Sequence, residues 1–428
     1  MTSNARQAVL EWPAGLDLAA LRLTGWRPTP FREFVLKIHG RCDLACDYCY
    51  MYEMADRSWR HRPRAMPRDV LAATAGRIAE HAARHELSTV MVGLHGGEPL
   101  LAGTSQIEDA VRTLRRIVRA RAGAHVEVRM QTNGVGLGTE QLRLCDDLGI
   151  RIGVSLDGGR TAHDRHRKRR DGRGSHTAVR AALARLASPA FRHLFSGLLC
   201  TIDLRNDPVE TYEALLEHRP PAIGLLLPHG NWDAPPPGLP GGTGRGGDGG
   251  DGGDGEWRYR GPTPYADWLT AVFDRWYGAS PAETRVRLFG EIIHLLLGGS
   301  ASVEAVGLSP VGFVVVETDG SIEQGDSLKS AYEGAPATGL HVSRDPFDAA
   351  LLLPSIAARQ IGAAALAPAC RGCPVHRVCG GGLYAHRHRA GSGFANPSVY
   401  CRDLFALIWH IRDRITADLA ALPGGGPG

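Results

Sequence analysis

From Phe34 to Leu227 the sequence alternates short apolar runs with amphipathic segments of helical length, and this alternation limits the fold more than any other feature. Candidate strands are Phe34 to His39, Thr89 to His95, His125 to Gln131, Ile150 to Leu156, Phe195 to Ile202 and Ala222 to Leu227. Between them the helical period recurs at Arg68 to Arg84, Ser105 to Arg121, Thr139 to Leu148, His176 to Leu186 and Val209 to His218. A repeated strand and helix build parallel strands joined by crossover helices. Six such units exceed a small open sheet and fall short of eight. The expected fold is therefore α/β, a partial (β/α)6 barrel with its helices outside. Ser105 and Glu108 predict a capping box at the start of the second helix.

Nine cysteines fall into two dense groups and two singletons. Cys42, Cys46 and Cys49 form the first group. Cys370, Cys373 and Cys379 form the second, with Cys401 beyond it. No apolar run reaches the length of about eighteen residues that a membrane span needs. Met1 to Gly15 lacks the basic flank and apolar run of a secretory signal. A cytoplasmic location is expected, where thiols stay reduced and clustered cysteines serve as ligands. Cys145 and Cys200, each inside an apolar run, read as small core residues.

The first group has the spacing C-x3-C-x2-C directly after the first strand, with Tyr48 before the last cysteine. Three close thiolates with no fourth ligand suit a 4Fe-4S cluster that keeps one iron open. Structural zinc wants a closed tetrahedron. Three polar motifs fall at the ends of the next strands: His95-Gly96-Gly97-Glu98-Pro99, Gln131-Thr132-Asn133-Gly134 and Ser155-Leu156-Asp157-Gly158. Each alone is an ordinary turn. In a parallel barrel, however, the loops after successive strands open on one face, where barrel enzymes place their chemistry.

Cys42 to Cys49 followed by Gly96 to Pro99 resembles the radical S-adenosylmethionine (radical SAM) superfamily, over roughly Phe34 to Leu227. The resemblance implies that Cys42, Cys46 and Cys49 hold a 4Fe-4S cluster whose open iron chelates S-adenosylmethionine. Gly96, Gly97 and Glu98 then meet its methionyl amine, Asn133, Ser155 and Asp157 its ribose, and Tyr48 passes beside the adenine. Electron transfer into the cluster would cleave the sulfonium and give a 5′-deoxyadenosyl radical, chemistry that belongs to the cofactor while the protein aims it.

Cys370-x2-Cys373-x5-Cys379, the following Gly-Gly-Gly-Leu-Tyr and the late Cys401 resemble the SPASM extension of radical SAM peptide maturases. That extension usually holds two auxiliary clusters. Here Leu383 stands where another cysteine often sits, and the Asp319-Gly320 hairpin carries none. One auxiliary 4Fe-4S cluster on Cys370, Cys373, Cys379 and Cys401 is therefore expected, with zinc as the alternative at a closed site of four thiolates. His376, His386 and His388 lie near this group, but four thiolates already fill the ligand positions.

Val35 to His39, Cys46 to Tyr50, Val316 to Ser321 and Phe394 to Cys401 narrow the resemblance to FxsB-type maturases, which form three-residue cyclophanes in ribosomally made precursor peptides. The resemblance implies a precursor peptide as substrate and an electron donor such as flavodoxin or ferredoxin as partner. It also makes Asp326, just after the hairpin, a candidate proton acceptor. The alternative for Asp326 is a solvated turn. Other SPASM chemistry, formylglycine or thioether formation, and a zinc-stapled peptide-binding scaffold are the competing functions.

The remaining segments divide as 1–32, a barrel over 33–232, an insertion over 233–260, a helical bridge over 261–308, the cluster-bearing extension over 309–410 and a tail over 411–428. From Gly238 to Gly255 eleven of eighteen residues are Gly, with Asp248, Asp251 and Asp254 at every third position, so a flexible insertion is expected. Leu404, Ile408, Ile411, Ile415 and Leu419 recur at helical spacing and predict a closing helix packed along that stripe. The run Arg165 to Arg170 reads as a solvated basic loop, because 49 basic against 45 acidic residues leave a charge of only +4. Neither a nucleic-acid nor a membrane partner is expected.

Overall fold

The computed structural model describes residues 16–240 and 261–421. Most of the expected Gly/Asp insertion, 241–260, and the end of the expected tail, 422–428, lie outside them. The six expected strands form as β1 (Glu33–His39), β2 (Thr89–Gly96), β3 (His125–Thr132), β4 (Ile150–Ser155), β5 (Phe195–Thr201) and β6 (Ala222–Leu226). Each pairs in parallel with the next, and the crossover helices between them match the periodic segments. The second of these, Thr104–Ala122, has Gly103 as its N-cap and no side-chain cap. Ser105 therefore lies inside the first turn, and Glu108 pairs with Arg112 one turn on instead of closing a capping box.

Four further strands extend the sheet at its two ends. β7 (Arg285–Val286) adds to β6 in parallel. β8 (Phe313–Val316) and β9 (Ser321–Glu323) form the hairpin expected around Asp319-Gly320, and β10 (Ala337–His341) pairs with β9. β8 also lies parallel to β1. The order is β10-β9-β8-β1-β2-β3-β4-β5-β6-β7, so eight parallel strands curve without closing. The hairpin of the expected extension thus belongs to the same sheet as the barrel.

Along β1, Phe34, Leu36 and Ile38 are buried at 0 to 1% exposure. The Phe34 ring meets His81 of helix Arg68–Arg84 and Phe347, which sets these alternate residues toward the helix layer. Val35, Lys37 and His39 then point to the opposite face. The closing helix, Cys401–Ala421, buries Leu404, Ile408 and Ile411 against helices Pro264–Tyr277 and Arg287–Leu296. The stripe ends early: Ile415 packs at the margin and Leu419 is 51% exposed. Among the described residues no helix is long and apolar enough to cross a membrane.

Candidate functional site

The loop after β1 carries Cys42, Cys46 and Cys49 and is held by the basic run rather than lying beside it. Leu44 bridges Arg169, the Ala45 N–H donates to the Lys168 carbonyl at 2.8 Å, and Arg170 Nε donates to the Cys42 carbonyl at 3.2 Å. Arg165 pairs with Asp203 at 2.5 Å, His166 with Asp47 at 2.7 Å, and Arg167 with Asp157 at 2.9 Å. The expectation of a solvated loop is corrected for Arg165, His166 and Arg167, which three carboxylates draw inward, while Lys168 and Arg170 are exposed. Backbone N–H groups of Leu44, Met51 and Tyr52 donate to the sulfurs of Cys42 and Cys49. Burial nevertheless pushes the Cys42 and Cys46 thiols up to about 12, so a bound metal has to displace their protons.

The end of β2 packs backbone to backbone on this loop. The Gly97 N–H donates to the His39 carbonyl and the Glu98 N–H to the Arg41 carbonyl, both at 3.0 Å. A Cβ on Gly97 would stand 2.1 Å from Tyr52 Oη and 2.4 Å from the Arg41 carbonyl carbon, so only glycine fits. Glu98 is 1% exposed and accepts from Thr132 Oγ1 (2.7 Å), the Asn133 N–H (2.7 Å) and the Leu100 N–H (3.0 Å). Burial outweighs these donors and pushes its carboxyl up to about 7. Three of its roughly four acceptor sites are taken, which leaves one for an incoming donor.

Tyr48, Gly96, Gly97, Asn133 and Ser155 line one cavity of about 270 Å³ together with the three cysteines. Glu98 and Asp157 stand behind its wall, 1% and 2% exposed. Asn133 turns its amide to Asp43 (2.8 Å) and to Cys42 Sγ (3.7 Å). Asp157 spends one oxygen on Tyr48 and Arg167 and the other on the Thr201 N–H. Ser155 accepts from Gln131 at 3.0 Å and keeps a hydroxyl proton to donate. The strand ends, the three thiols and the Arg167 guanidinium therefore face a single space, with the carboxylates of Glu98 and Asp157 behind its wall.

Residues 36–216 match the model of the radical SAM superfamily. The chain carries a radical SAM domain. Among curated proteins it is 26% identical to the Synechocystis protein sll1766 over 217 residues, 50% of this chain and 52% of that one. It is 29% identical over 150 residues to the serine-type anaerobic sulfatase-maturating enzyme of Bacteroides thetaiotaomicron, 35% of each chain. The chain thus spans about half or a third of the length of the curated relatives it matches. The fold is similar to that of anSMEcpe with bound AdoMet and Cp18Cys peptide, at a TM-score of 0.70 and 20% identity, covering 92% of this chain and 100% of that one. It is also similar to Streptococcus suis SuiB bound to precursor peptide SuiA, at a TM-score of 0.53 and 12% identity, covering 92% and 79%.

Outside the radical SAM domain, Cys370, Cys373, Cys379 and Cys401 are each 7 to 9% exposed. Cys401 opens the closing helix, which packs on the helical turn His376–Cys379. Gly380, Gly381 and Gly382 all take positive φ, and Arg387 gathers their three carbonyls at 2.6 to 3.1 Å. The Gly381 N–H is thereby left to donate to Cys379. Among the described residues no three cysteine sulfurs lie within 4.8 Å of one another. Tetrahedral zinc would hold its sulfurs about 3.8 Å apart, given Zn–S bonds of about 2.3 Å.

Between the hairpin and the glycine run lies a cavity of about 290 Å³, lined among others by Phe313, Arg359, Gly380, Tyr384 and Arg387. Arg359 pairs with Glu304 at 2.5 Å and lies over the rings of Phe313 and Tyr384, and Arg387 covers Tyr384 as well. Among the described residues no cysteine lines that cavity.

Asp326 opens a short 3-10 turn after β9. Its Oδ2 pairs with Lys37 Nζ at 2.5 Å, and its Oδ1 is buried with no hydrogen-bond partner. It is therefore no solvated turn residue. Lys37, 1% exposed, is a charged residue here that no sequence motif singled out, and Arg167, expected only within a solvated run, is another at 12%. A lone lysine within the apolar run Phe34 to Ile38 was the available signal.

Proposed function

We propose that this chain is a radical SAM peptide maturase that joins an aromatic side chain to the β-carbon of a nearby residue in a ribosomally made precursor, forming a cyclophane. The observation that carries the reading is the knitting of the Cys42 to Cys49 loop to Gly96–Glu98, Asn133 and Ser155 around one cavity. Cys42, Cys46 and Cys49 hold the S-adenosylmethionine cluster, in a barrel over 33–232. Cys370, Cys373, Cys379 and Cys401 hold one auxiliary 4Fe-4S cluster in the extension over 309–410. When bound, these groups supply a 5′-deoxyadenosyl radical and an acceptor for the electron released when the joined ring regains aromaticity.

The protein binds and orients around that chemistry. Glu98 offers its last acceptor site to the methionyl ammonium, while Gly96 and Gly97 let the backbone approach. Ser155 meets the ribose, Asn133 and Asp157 fix the wall beside it, and Tyr48 flanks the adenine. Asp326 takes the proton lost from the ring. A ferredoxin or flavodoxin type donor reduces the enzyme.

Formylglycine formation is the second reading, favoured by the likeness to the sulfatase-maturating enzymes. Co-expression with a candidate precursor, a short peptide chosen for an aromatic residue two places before its crosslinking partner, separates the two. The cyclophane reading expects a product lighter by two hydrogens that does not react with a carbonyl reagent. A hydrazide-reactive product supports formylglycine, and an unmodified peptide beside fully loaded enzyme overturns both.

A further inference from the structure

An ammonium inside a protein is costly unless it is paired. Lys37 is 1% exposed, in the middle of β1, and directly opposite His95 in the register with β2. Its Nζ is spent on Asp326 Oδ2 (2.5 Å), His95 Nδ1 (3.3 Å) and Met51 Sδ (3.4 Å). These are the three donors an ammonium has, and they reach the turn after β9, the end of β2 and the cysteine loop. None is left for a substrate.

Two of the three partners of Lys37, His95 and Met51, line the cavity, and Asp326 stands behind them. Because the ammonium can only donate, His95 Nδ1 accepts and the ring carries its proton on Nε2. Burial and the adjacent Lys37 charge push that ring down to about 4, so it stays neutral. Asp326 keeps Oδ1 unpaired, and its charge acts on Tyr50 and His229 of the cavity wall. Lys329, three residues on, is fully buried between Glu317 and Glu323 and fixes the backbone of the same turn.

We infer that Lys37 is the positioning residue of the crosslinking step: it holds Asp326 with Oδ1 toward the ring that is losing its proton, and holds His95 as the Nε2–H tautomer beside it. In that step one ring C–H bond breaks, the proton goes to Oδ1, the bonding pair stays with the ring, and one electron leaves to an iron–sulfur oxidant. The inference rests on reading Asp326 as the proton acceptor.

The test uses the full chain, reconstituted anaerobically, with the candidate precursor peptide that the unaltered protein crosslinks as probe. Lys37→Met, Asp326→Asn and the unaltered protein are compared for crosslinked product per 5′-deoxyadenosine released and for the peptide KM. The expected result for both variants is a fall of about a hundredfold in product per deoxyadenosine, with KM changed by less than about threefold. If Lys37→Met loads iron poorly, Lys37→Ala with added propylammonium replaces it, and the added cation restores the coupling. Product per deoxyadenosine that falls in Asp326→Asn but stays normal in Lys37→Met, or a Lys37→Ala defect that no alkylammonium repairs, overturns the inference and leaves the reading of Asp326 standing. An Asp326→Asn variant that couples normally overturns that reading itself.

Discussion

The phenol of Tyr48 donates to the carboxylate of Asp157, which ties the cysteine loop to the end of β4. The same oxygen takes Arg167 Nε at 2.9 Å, and the other takes the Thr201 N–H at 3.0 Å. One buried carboxylate thus joins the loop after β1, the basic run and the end of β5. Tyr48→Phe removes a charge-assisted bond and is expected to cost about 1.5–3 kcal/mol. Asp157→Ala strands the Arg167 guanidinium and is expected to cost about 3–5 kcal/mol. Urea unfolding under anaerobic conditions measures both, and equal losses would contradict the hub role given to Asp157.

Gly97→Ala forces a Cβ into the Arg41 backbone, which cannot swing aside as a side-chain end could. The expected outcome is a displaced cysteine loop, with iron content on the first cluster reduced severalfold and a lower melting temperature. Gly136→Ala is the control, since its Cβ meets only Leu100 at 3.7 Å or more. Equal iron loading in the two variants would show that the close approach of β2 to the loop is not needed.

His163 is fully buried, accepts the Asp157 N–H on Nδ1 and shares Nε2 with Ser175 Oγ at 2.9 Å. Burial pushes it from 6.5 down to about 4. Above pH 6.5 both folded and unfolded chains hold it neutral, and its contribution is complete. As the pH falls from 6.5 toward 4 the unfolded chain takes up a proton that the folded chain refuses, so stability drops by about 3 kcal/mol. His163→Gln should flatten the urea midpoint against pH across that window relative to the unaltered protein. An unchanged slope would mean that His163 is charged in the fold.

Anaerobic reconstitution should give about eight irons and eight sulfides per chain, the content of two 4Fe-4S clusters. Cys379→Ala should leave about four and still release 5′-deoxyadenosine, while losing crosslinked product. A content of about four irons plus one zinc in the unaltered protein would place zinc at the second group instead.

Much of the barrel was legible because alternating apolar runs and helical periods are local properties, and β1 to β6 follow them. The hairpin was legible for the same reason, through Asp319-Gly320. Its parallel pairing with β1 was not, since nothing within Phe313 to Val316 names a partner nearly three hundred residues away. β7 was missed because two residues carry no period. The basic run misled for a physical reason: Arg165, His166 and Arg167 are drawn in by Asp203, Asp47 and Asp157, of which the first two are distant in sequence. The cavity-lining places of Tyr48, Gly97 and Ser155 followed from their positions at strand ends. The occupied oxygens of Asp157 and the amide of Asn133 turned to Asp43 depended on side-chain directions that no spacing encodes.

Whether Cys42, Cys46 and Cys49 hold a cluster that cleaves S-adenosylmethionine is read from the 5′-deoxyadenosine released by the reconstituted, dithionite-reduced chain. Release by the unaltered protein and none by Cys46→Ala, whose auxiliary cluster still loads, is the expected result. A fully iron-loaded unaltered protein that releases no 5′-deoxyadenosine would contradict it.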